Sequence, residues 1–517
     1  MPKRSAMRPE YGNNPYPKGG PRSTFNVSEA HKTTFNANYL VPIYWDYLYP
    51  GEVRKGKVHA YLRLSNPLEF PIMDNIYVTI HWFSDSIRNM WTNFRKFYGE
   101  RTDPADSISY TVPVLGTGNV DLTTGGSEPF RDLCDYLGLP HVASFDQGDA
   151  SALPFRMYNR VFNYWYRDQQ VDDSVNESVD DGPDAGSTDY VLLQRRKRFD
   201  YFTNITTAPQ RGDSVKIGGD VAVDVGTNSA IGVYSTTQAQ YRRLDTDATH
   251  ADISSTSSTE GNSLYPNVTI NELRNAVAIQ RFLELDNRHG TRFGELIYGH
   301  WGTEFQDARF NPVYIAGGTA PINVTPVMNQ SNATATEALD LGDLGAIGSG
   351  AMNGSGAFTY AAHEPEIIMC IANVWADQTY HQGLNRKWSY STRYDFMWPE
   401  FQGIGDQALL LKEIYYQNSG SDENVFGYSP RYEECRIGIN RLSGEFRPDN
   451  AASIDTWHLA EDFVGAPSYN STFIDMAVPM GRVLQSTVPN HVIADFYIEQ
   501  YSTKQLSMSG IPGLARL

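Results

Sequence analysis

Short stretches in which apolar and polar residues alternate recur along this chain, and they constrain its fold most. Residues 57–64 and 75–83 carry an apolar side chain at every second position, and a similar stretch begins at Ile493. A period of two places these side chains on one face of a strand. Residues 366–375 form a nearly continuous apolar run, which is typical of a strand buried on both faces. The chain is therefore predicted to be mainly β.

Composition agrees with this prediction and limits the function. The 517 residues include 32 Tyr, a residue favoured in strands and at interfaces. The net charge is −18. A protein whose whole task is to grip nucleic acid would be basic, because phosphate neutralisation dominates that affinity. This chain is therefore not expected to condense DNA unaided.

The cysteines, and the search for a signal peptide or a membrane span, give further expectations. Cys134, Cys370 and Cys435 are widely spaced, so neither a disulfide framework nor a zinc site is predicted, and all three are expected to be reduced core thiols. The first residues lack the apolar region of a signal peptide. No apolar run approaches the roughly 18 residues of a membrane span.

Three stretches predict helices. Residues 88–98 read as a short helix, and residues 151–168 as a longer one. The longer one carries an apolar stripe at every fourth position. The stripe comprises Leu153, Met157, Val161 and Trp165. Thr269 and Glu272 form a capping box, which predicts a helix that runs to about Asn287 and stops before Gly290.

Four polar stretches interrupt this pattern. Residues 1–37 read as an extended arm with six basic and two acidic residues. Residues 168–189 hold eight acidic residues and no basic one, so the segment is expected to be solvated. Residues 213–268, and then 325–362, have the composition of long exposed loops. The basic cluster 195–198 is interpreted as solvated or salt-bridged rather than as a DNA site.

The sequence contains no complete catalytic motif. Residues 51–57 nearly fit a phosphate-binding loop, but Val58 stands where such a loop needs Ser or Thr. A hydrolase acting through paired carboxylates is one alternative. Its candidates are Asp395 with Glu400, or Glu461 with Asp462. Acidic pairs are usually solvated, and no second motif supports these. No catalytic residue, metal site or cofactor is predicted, and the chain is not expected to be an enzyme.

Several ordered tracts resemble one protein family. Residues 457–463 read WHLAEDF and residues 470–474 read NSTFI. Residues 164–169 (YWYRDQ), 269–276 (TINELRNA) and 395–401 (DFMWPEF) continue the pattern in order. Together they resemble the major capsid proteins of the Microviridae, the small single-stranded DNA bacteriophages, and in particular the gokushovirus-like branch. The resemblance is collinear over most of residues 24–510.

The resemblance implies a fold and a domain organisation. It implies a viral jelly roll, an eight-stranded antiparallel β-sandwich with long helix-containing insertion loops. Residues 1–37 would be a basic arm, and 38–517 a single jelly-roll domain. The insertions would be the acidic loop at 168–190, a variable protrusion at 213–268 near the threefold axis, and the polar loop at 325–362.

The same resemblance implies assembly rather than catalysis. About 60 copies, built as pentamers, would close into a T=1 icosahedral shell around a circular single-stranded DNA genome. Expected partners are a small basic DNA-packaging protein, a scaffolding protein and a minor pilot protein. The chain would reside in the virion after assembly in the cytoplasm of the host bacterium. The host receptor is not identified.

Three groups of candidate site residues follow from this reading. Basic residues of the arm are candidates for DNA contacts on the inner face: Lys3, Arg4, Arg8, Lys18 and Arg22. The protrusion offers candidates for host contact: Tyr234, Tyr241, Arg242, Arg243 and Tyr265. The aromatic, charge-poor tracts 388–401 and 457–473 offer candidates for a subunit interface: Trp388, Trp398, Trp457, His458 and Phe463.

A jelly-roll carbohydrate-binding attachment protein is the main alternative, because exposed Trp and Tyr side chains also stack on sugars. The two hypotheses differ in their assemblies. A capsid protein forms a closed shell, whereas a lectin remains a small oligomer that binds glycan.

Overall fold

The computed structural model describes most of the chain, with several gaps. The described residues are 22–116, 129–140, 150–215, 232–235, 240–243, 269–304, 310–328, 344–485 and 490–508. They divide into two compact units. The larger unit lies within residues 1–207 and 305–517, and the smaller within 208–304.

Strands dominate the larger unit. In chain order the strands are β1 (Ser23–Asn26), β2 (Glu29–Phe35), β3 (Val41–Leu48), β4 (Val53–Leu64), β5 (Ile76–Ser86), β6 (Gly232–Ser235), β7 (Gln240–Arg243), β8 (Val313–Met328), β9 (Leu344–Ala361), β10 (Glu366–Ala376), β11 (Asp406–Leu410), β12 (Val425–Pro430) and β13 (Val492–Lys504). Only β6 and β7 belong to the smaller unit.

The helices are mostly short. They are α1 (Ile87–Met90), α2 (Phe94–Phe97), α3 (Pro129–Tyr136), α4 (Leu153–Val161), α5 (Gly186–Asp189), α6 (Ile270–Arg288), α7 (Phe293–Trp301), α8 (Leu411–Ile414), α9 (Ser471–Ile474) and α10 (Met480–Val483). The stretch 88–98, predicted as one helix, is divided between α1 and α2, because Trp91 takes an extended conformation between them.

Nine strands form one antiparallel sheet. Its order is β1-β13-β4-β9-β8-β5-β10-β3, and β2 pairs with β13 next to β1. The prediction of a mainly β fold with helix-containing insertions is therefore confirmed. The specific jelly-roll arrangement stays a prediction. One cluster of buried side chains includes Val41 of β3, at one end of this order, and Phe496 of β13, next to the other end.

Strand β10 lies next to the β3 end of this sheet. All eleven of its residues are buried, as the continuous apolar run predicted. It pairs with β5 on one side and with β3 on the other. The alternation in β4 and β5 is confirmed as well, since Val58, Leu62, Ile76 and Val78 are all at most 1% exposed.

The N-terminal arm is shorter than predicted. Residues 23–26 and 29–35, assigned to an extended arm, form β1 and β2, which pair along β13 at the edge of the sheet. Phe35 ends β2 fully buried against Phe496, with ring centroids 6.5 Å apart. Its polar composition hid this role, because an edge strand needs apolar side chains only on its inner face.

The polar loop predicted at 325–362 is wrong for residues 344–361, which form β9 between β4 and β8. Its inward positions are mostly small residues: Ala346, Gly348, Gly350 and Met352. A Cβ on Gly348 would lie 2.6 Å from a methyl group of Leu64, so glycine permits the close approach. Small inward residues removed the apolar signal on which the prediction depended.

Helix α4 confirms most of the predicted stripe. Leu153, Met157 and Val161 are buried, but Trp165 is 45% exposed. After Val161 the chain changes to a π-helical turn, Phe162–Tyr166, which alters the angle between successive side chains. The indole of Trp165 consequently donates to the carbonyl of Pro312 at 2.8 Å.

The acidic segment is not solvated throughout, contrary to prediction. Asp184 is 3% exposed and accepts two hydrogen bonds from the fully buried guanidinium of Arg156, at 2.6 and 2.8 Å. Asp172 is 7% exposed and pairs with Arg196. The partners lie outside the segment, so its own composition gave no sign of them.

In the smaller unit the predicted capping box is present. The hydroxyl of Thr269 accepts from the amide of Glu272, and the amide of Thr269 donates to that carboxylate at 2.8 Å. Helix α6 ends at Arg288, close to the predicted position. Strands β6 and β7 form a two-stranded ribbon.

An aromatic cluster on β5 surrounds His81 in the larger unit. Its Nδ1 lies 2.7 Å from the hydroxyl of Tyr166, and the rings of Phe83 and Tyr314 contact its edge. Burial, with a smaller effect of the Arg195 charge, lowers the pKa of His81 to about 4. His81 is therefore neutral in the folded chain at neutral pH.

Replacing Arg156 with Met should destabilise the larger unit by about 3–5 kcal/mol, because the buried Asp184 would lose its partner. Arg95→Met is the control, since the Arg95–Glu100 pair is largely exposed and should cost at most about 1 kcal/mol. Denaturant unfolding of the purified variants measures both values. Equal losses would contradict a special role for the buried pair.

Acidification should destabilise the chain partly through His81. The unfolded chain protonates this histidine near pH 6.5, whereas the folded chain does so only near pH 4. The stabilising difference is therefore present at pH 7 and lost as the pH falls, by about 2 kcal/mol at pH 5. His81→Gln should show a smaller loss of Tm between pH 7 and pH 5 than wild type. The exposed His363→Gln variant should retain the wild-type loss.

Candidate assembly surfaces

The tract that begins at Trp457 is packed within the chain. The Trp457 ring stacks on Phe70, with centroids 5.6 Å apart and planes inclined by 16°. Its carbonyl accepts from the amide of Met73 at 2.8 Å. Trp457 remains partly exposed, so its outer edge could still meet a neighbour.

His458 is more deeply buried, at 2% exposure. Its Nε2 lies 2.7 Å from the carbonyl of Phe446, and its Nδ1 accepts from the amide of Ala460. Arg482 donates to the carbonyls of both His458 and Ala460, at 2.9 and 2.8 Å. His458 thus joins segments of one chain, and we leave it out of the interface proposed below.

Phe463 belongs to a second, smaller core. Its ring stacks on Tyr380 at 6.2 Å with an inclination of only 7°. Beneath it lies the ion pair between Lys197 and Glu461, at 2.7 Å, with the ammonium 4.2 Å from the centre of Phe473. Burial lowers the pKa of Lys197 and raises the pKa of Glu461. Phe463 is half-buried here and stacks on Phe473 as well as on Tyr380.

The basic cluster at 195–198 has the structural role that the sequence favoured. Arg196 pairs with Asp172 and Asp475, and Arg195 donates to the side-chain carbonyl of Asn373 at 3.1 Å. Arg198 lies over the ring of Trp375 at 4.6 Å. These side chains join distant segments, which confirms the salt-bridged interpretation.

The segment 388–404, in contrast, exposes large apolar side chains to solvent. We call it the aromatic strip. Its exposed members are Trp388 (82%), Tyr394 (52%), Phe396 (57%), Met397 (56%), Trp398 (45%) and Ile404 (60%). Contiguous apolar surface of this kind marks interaction sites on soluble proteins. Two of the predicted interface residues, Trp388 and Trp398, lie here.

Local contacts hold the aromatic strip in place. The amide of Leu384 donates to the carbonyl of Lys412 at 2.8 Å, and the side chain of Asn385 caps the turn that carries Trp388. Gly383 permits this approach, because a Cβ there would collide with the carbonyl of Glu413. Further along, the indole of Trp398 donates to the carbonyl of Arg393 at 2.8 Å. The exposed rings are thus presented on fixed backbone.

The carboxylates of the hydrolase alternative are engaged elsewhere. Asp395 accepts from the amides of Thr392 and Ser391, which lower its pKa, so it is an ionised turn cap. Glu461 pairs with Lys197, and Asp462 accepts from the side chain of Gln382 at 2.8 Å. Glu400 is exposed to solvent.

The other predicted contacts fall largely outside the described residues. Lys3, Arg4, Arg8, Lys18 and Tyr265 lie there. Arg22 is exposed and donates to the carbonyl of Gly51. In the β6–β7 ribbon, Tyr234 pairs with Tyr241, Val233 with Arg242, and Gly232 with Arg243. The structure therefore brings four of the predicted host-contact residues into one ribbon.

The described part of the chain contains no group of three or more His, Cys, Asp or Glu side chains arranged to hold a metal. Among the same residues, no helix is both long and apolar enough to span a bilayer. Cys134 and Cys370 are buried, and burial raises the pKa of Cys134 to about 12. Cys435 is exposed, so its prediction as a core thiol is wrong.

Comparison with known proteins identifies the family. Residues 17–514 match the family model described as "Capsid protein (F protein)". The chain belongs to this family of phage capsid proteins. Capsid protein VP1 of Bdellovibrio phage phiMH2K is 33% identical over 523 residues, covering 95% of both chains. The VP1 proteins of Chlamydia phage 1 and Spiroplasma virus 4 are 30% and 25% identical, each covering 96% of both chains.

Membership confirms the resemblance inferred from the sequence tracts, and with it the structural role. The protein is a capsid protein of the Microviridae type, a component of the virion and not an enzyme. Such a protein assembles with copies of itself around a packaged genome. The carbohydrate-binding alternative receives no support from the family or from these relatives.

Sequence reasoning missed one group of candidate contact residues in the smaller unit. Helices α6 and α7 expose Phe282, Phe293, Tyr298 and Trp301, each by at least half. The signal was present, because apolar residues are distributed around more than one face of α6. The capping box predicts where the helix begins, but it does not predict which of its side chains are covered.

Gly383→Ala should destabilise the chain by about 1–3 kcal/mol, because the added methyl group would press on the backbone at Glu413. It should also disorder the turn carrying Trp388. Gly403→Ala is the matched control, since nothing lies within 4 Å of a Cβ there. Thermal melting compares the two. A Gly383→Ala variant as stable as Gly403→Ala would refute the close contact.

Proposed function

We propose that this capsid protein closes into a T=1 icosahedral shell of about 60 copies, assembled through pentamers. Each copy would contribute one jelly-roll body, and the shell would enclose a circular single-stranded DNA genome. The observation that carries the proposal is the aromatic strip, 388–404, on a chain whose buried core is complete without it.

The strip has the composition of an interface centre. Trp, Tyr, Phe and Met are enriched in the cores of protein interfaces, and Trp388, Tyr394, Met397 and Trp398 are all exposed here. Large exposed aromatic side chains on a fixed backbone lose little conformational entropy on binding. A repeated contact of this kind, made by identical copies, closes into a point group when its rotation permits.

The charge of the chain suggests that other molecules neutralise most of the DNA charge inside the shell. A net charge of −18 opposes condensation of DNA by this chain alone. We therefore propose that a small basic packaging protein and cations supply most of the counter-charge. The N-terminal arm, with Lys3, Arg4, Arg8, Lys18 and Arg22, would add local phosphate contacts on the inner face.

Assembly in the host cytoplasm would involve a scaffolding protein, and the finished particle a minor pilot protein. The insertion at 213–268 would project near the threefold axis and contact the host. Tyr234, Tyr241, Arg242 and Arg243 are the candidates for that contact, because the β6–β7 ribbon holds them together.

Electron microscopy of native material purified by sedimentation tests the proposal. We expect uniform small icosahedral particles that protect single-stranded DNA from added nuclease. Image reconstruction should then give one copy of this chain in each asymmetric unit. Open rings or a larger lattice with several distinct environments would contradict a T=1 shell.

Trp388→Ala should leave the free energy of unfolding within about 0.5 kcal/mol of wild type, because the side chain is 82% exposed. The yield of closed shells should fall roughly tenfold or more, as expected when a central aromatic contact is lost from a repeated interface. Trp457→Ala provides the comparison. It removes an intrachain stack and should cost about 2 kcal/mol of stability.

Denaturant unfolding of the soluble chain and sedimentation of assembled particles measure the two effects separately. A Trp388→Ala chain that forms shells at the wild-type yield would remove Trp388 from the proposed interface. A large loss of folding stability would instead make it a structural residue.

A further inference from the structure

Within the described part of the chain, the first ten residues of helix α6 are almost uncovered. Within Ile270–Ile279 only Ala276 is buried. Ile270 is 72% exposed, Leu273 44% and Val277 51%. Helices in globular proteins are stabilised chiefly by packing one apolar face. The first half of α6 therefore presents an apolar face that nothing in the described smaller unit covers.

Arginines lie beside this apolar face. Arg274 and Arg281 are exposed and seven residues apart, so they project on nearly the same side of the helix, about 10 Å apart. Ile270 and Val277 lie on that side as well. Glu272 lies two residues from Arg274, but its carboxylate accepts from the amide of Thr269 at 2.8 Å in the capping box. Glu284, three residues from Arg281, is half-buried and accepts a hydrogen bond from Gln280 at 2.9 Å. The face is therefore both apolar and basic.

The adjacent helix adds to the exposed area. Phe293, Tyr298 and Trp301 of α7 are 68%, 58% and 73% exposed, and Phe282 of α6 is 52% exposed. These four aromatic side chains present roughly 500 Å² of surface. A stable interface buries roughly 800 Å² on each partner. The area is that of a macromolecular contact rather than of a small ligand.

A complementary surface exists on the same chain, in the acidic segment. Asp173 and Asp181 are exposed, and the Asp180 side chain is 76% exposed. Arg156 pairs with both Asp180 and Asp184. The amide of Gly182 is the main cause of a lowered pKa at Asp180, which therefore stays ionised near neutral pH. The segment thus exposes carboxylates that a basic partner could contact.

We propose that the apolar and basic face of α6, centred on Arg274, Val277 and Arg281, docks on the acidic segment 168–189 of a second copy of this chain. The inference rests on the proposed function, since it assigns one of the contacts between copies in the shell. Arginines would bridge to the exposed carboxylates while the exposed Val179 of the segment meets the apolar side chains. Because each copy carries both surfaces, the contact is heterologous and can repeat around a ring.

Charge complementarity selects this occupant. Copies with a net charge of −18 repel one another, so contacts between them require a local basic surface opposite an acidic one. Single-stranded DNA would also attract arginines and could stack on the exposed rings of α7. The aliphatic side chains of Ile270 and Val277 beside the arginines favour a protein surface instead. DNA as the occupant is distinguished by the experiment.

The test reverses the charges. Arg274→Glu with Arg281→Glu, made in the full chain, should lower the yield of closed shells at least tenfold while the Tm of the soluble chain stays unchanged. Adding Asp173→Arg to the same chain should recover a substantial part of the yield. Arg95→Glu with Arg101→Glu is the matched control, because it changes the net charge equally at two exposed arginines of the larger unit.

The outcomes separate the possibilities. Wild-type yield from the α6 variant, or an equal loss in the control, would overturn the inference. So would failure of Asp173→Arg to restore any shells. Intact shells with less DNA would assign the face to the genome instead, and would likewise overturn a contact between copies. A wild-type chain that forms no shells would contradict the proposed function itself.

Discussion

The burial of β10 on every side is the constraint on which the larger unit depends. A strand with all eleven residues buried must find backbone partners on both edges, which β3 and β5 supply. Its two polar side chains must be satisfied as well. Glu366 accepts from Ser84 and Tyr360, both at 2.7 Å, and Asn373 donates to the carbonyl of Tyr39. The remaining strands of the sheet continue from β5 on one side only.

Buried arginines then attach the long connections to the sheet. Arg54 joins Glu52, Asp46 and Gln500, and Arg156 joins the carboxylate of Asp184 to the carbonyl of Met90. A planar guanidinium can satisfy several acceptors from different segments at once, which an ammonium cannot do in a fixed geometry. Arg156 thereby attaches the acidic segment to helices α1 and α4. The carboxylates of Asp184 and Asp172 fix this segment because Arg156 and Arg196 pair with them.

The sequence predicted what depends on local periodicity. The alternation at Val58 and Ile76 and the cap at Thr269 each lie within a few residues, so the pattern reports them directly. The predictions that the acidic segment around Asp184 is solvated and that the residues of β9 form a loop were wrong for a different reason. The partner of Asp184 is 28 residues away, and the inward positions of β9 are small residues that resemble a loop in composition. Trp388 and Trp457 both lie in aromatic tracts with few charges. Only the tertiary contacts show that Trp388 is the more exposed of the two.

In the proposed assembly, folding and contacts between copies use separate side chains. The core cluster includes β3, β5, β10 and β13 but none of the exposed rings of the aromatic strip. A variant can therefore lose a contact between copies without losing its fold. The separation also suits closure of a shell, since weak individual contacts allow misplaced copies to dissociate while many together stabilise the particle. Strong net repulsion at −18 reinforces this selection, because only copies that place their complementary surfaces together remain bound.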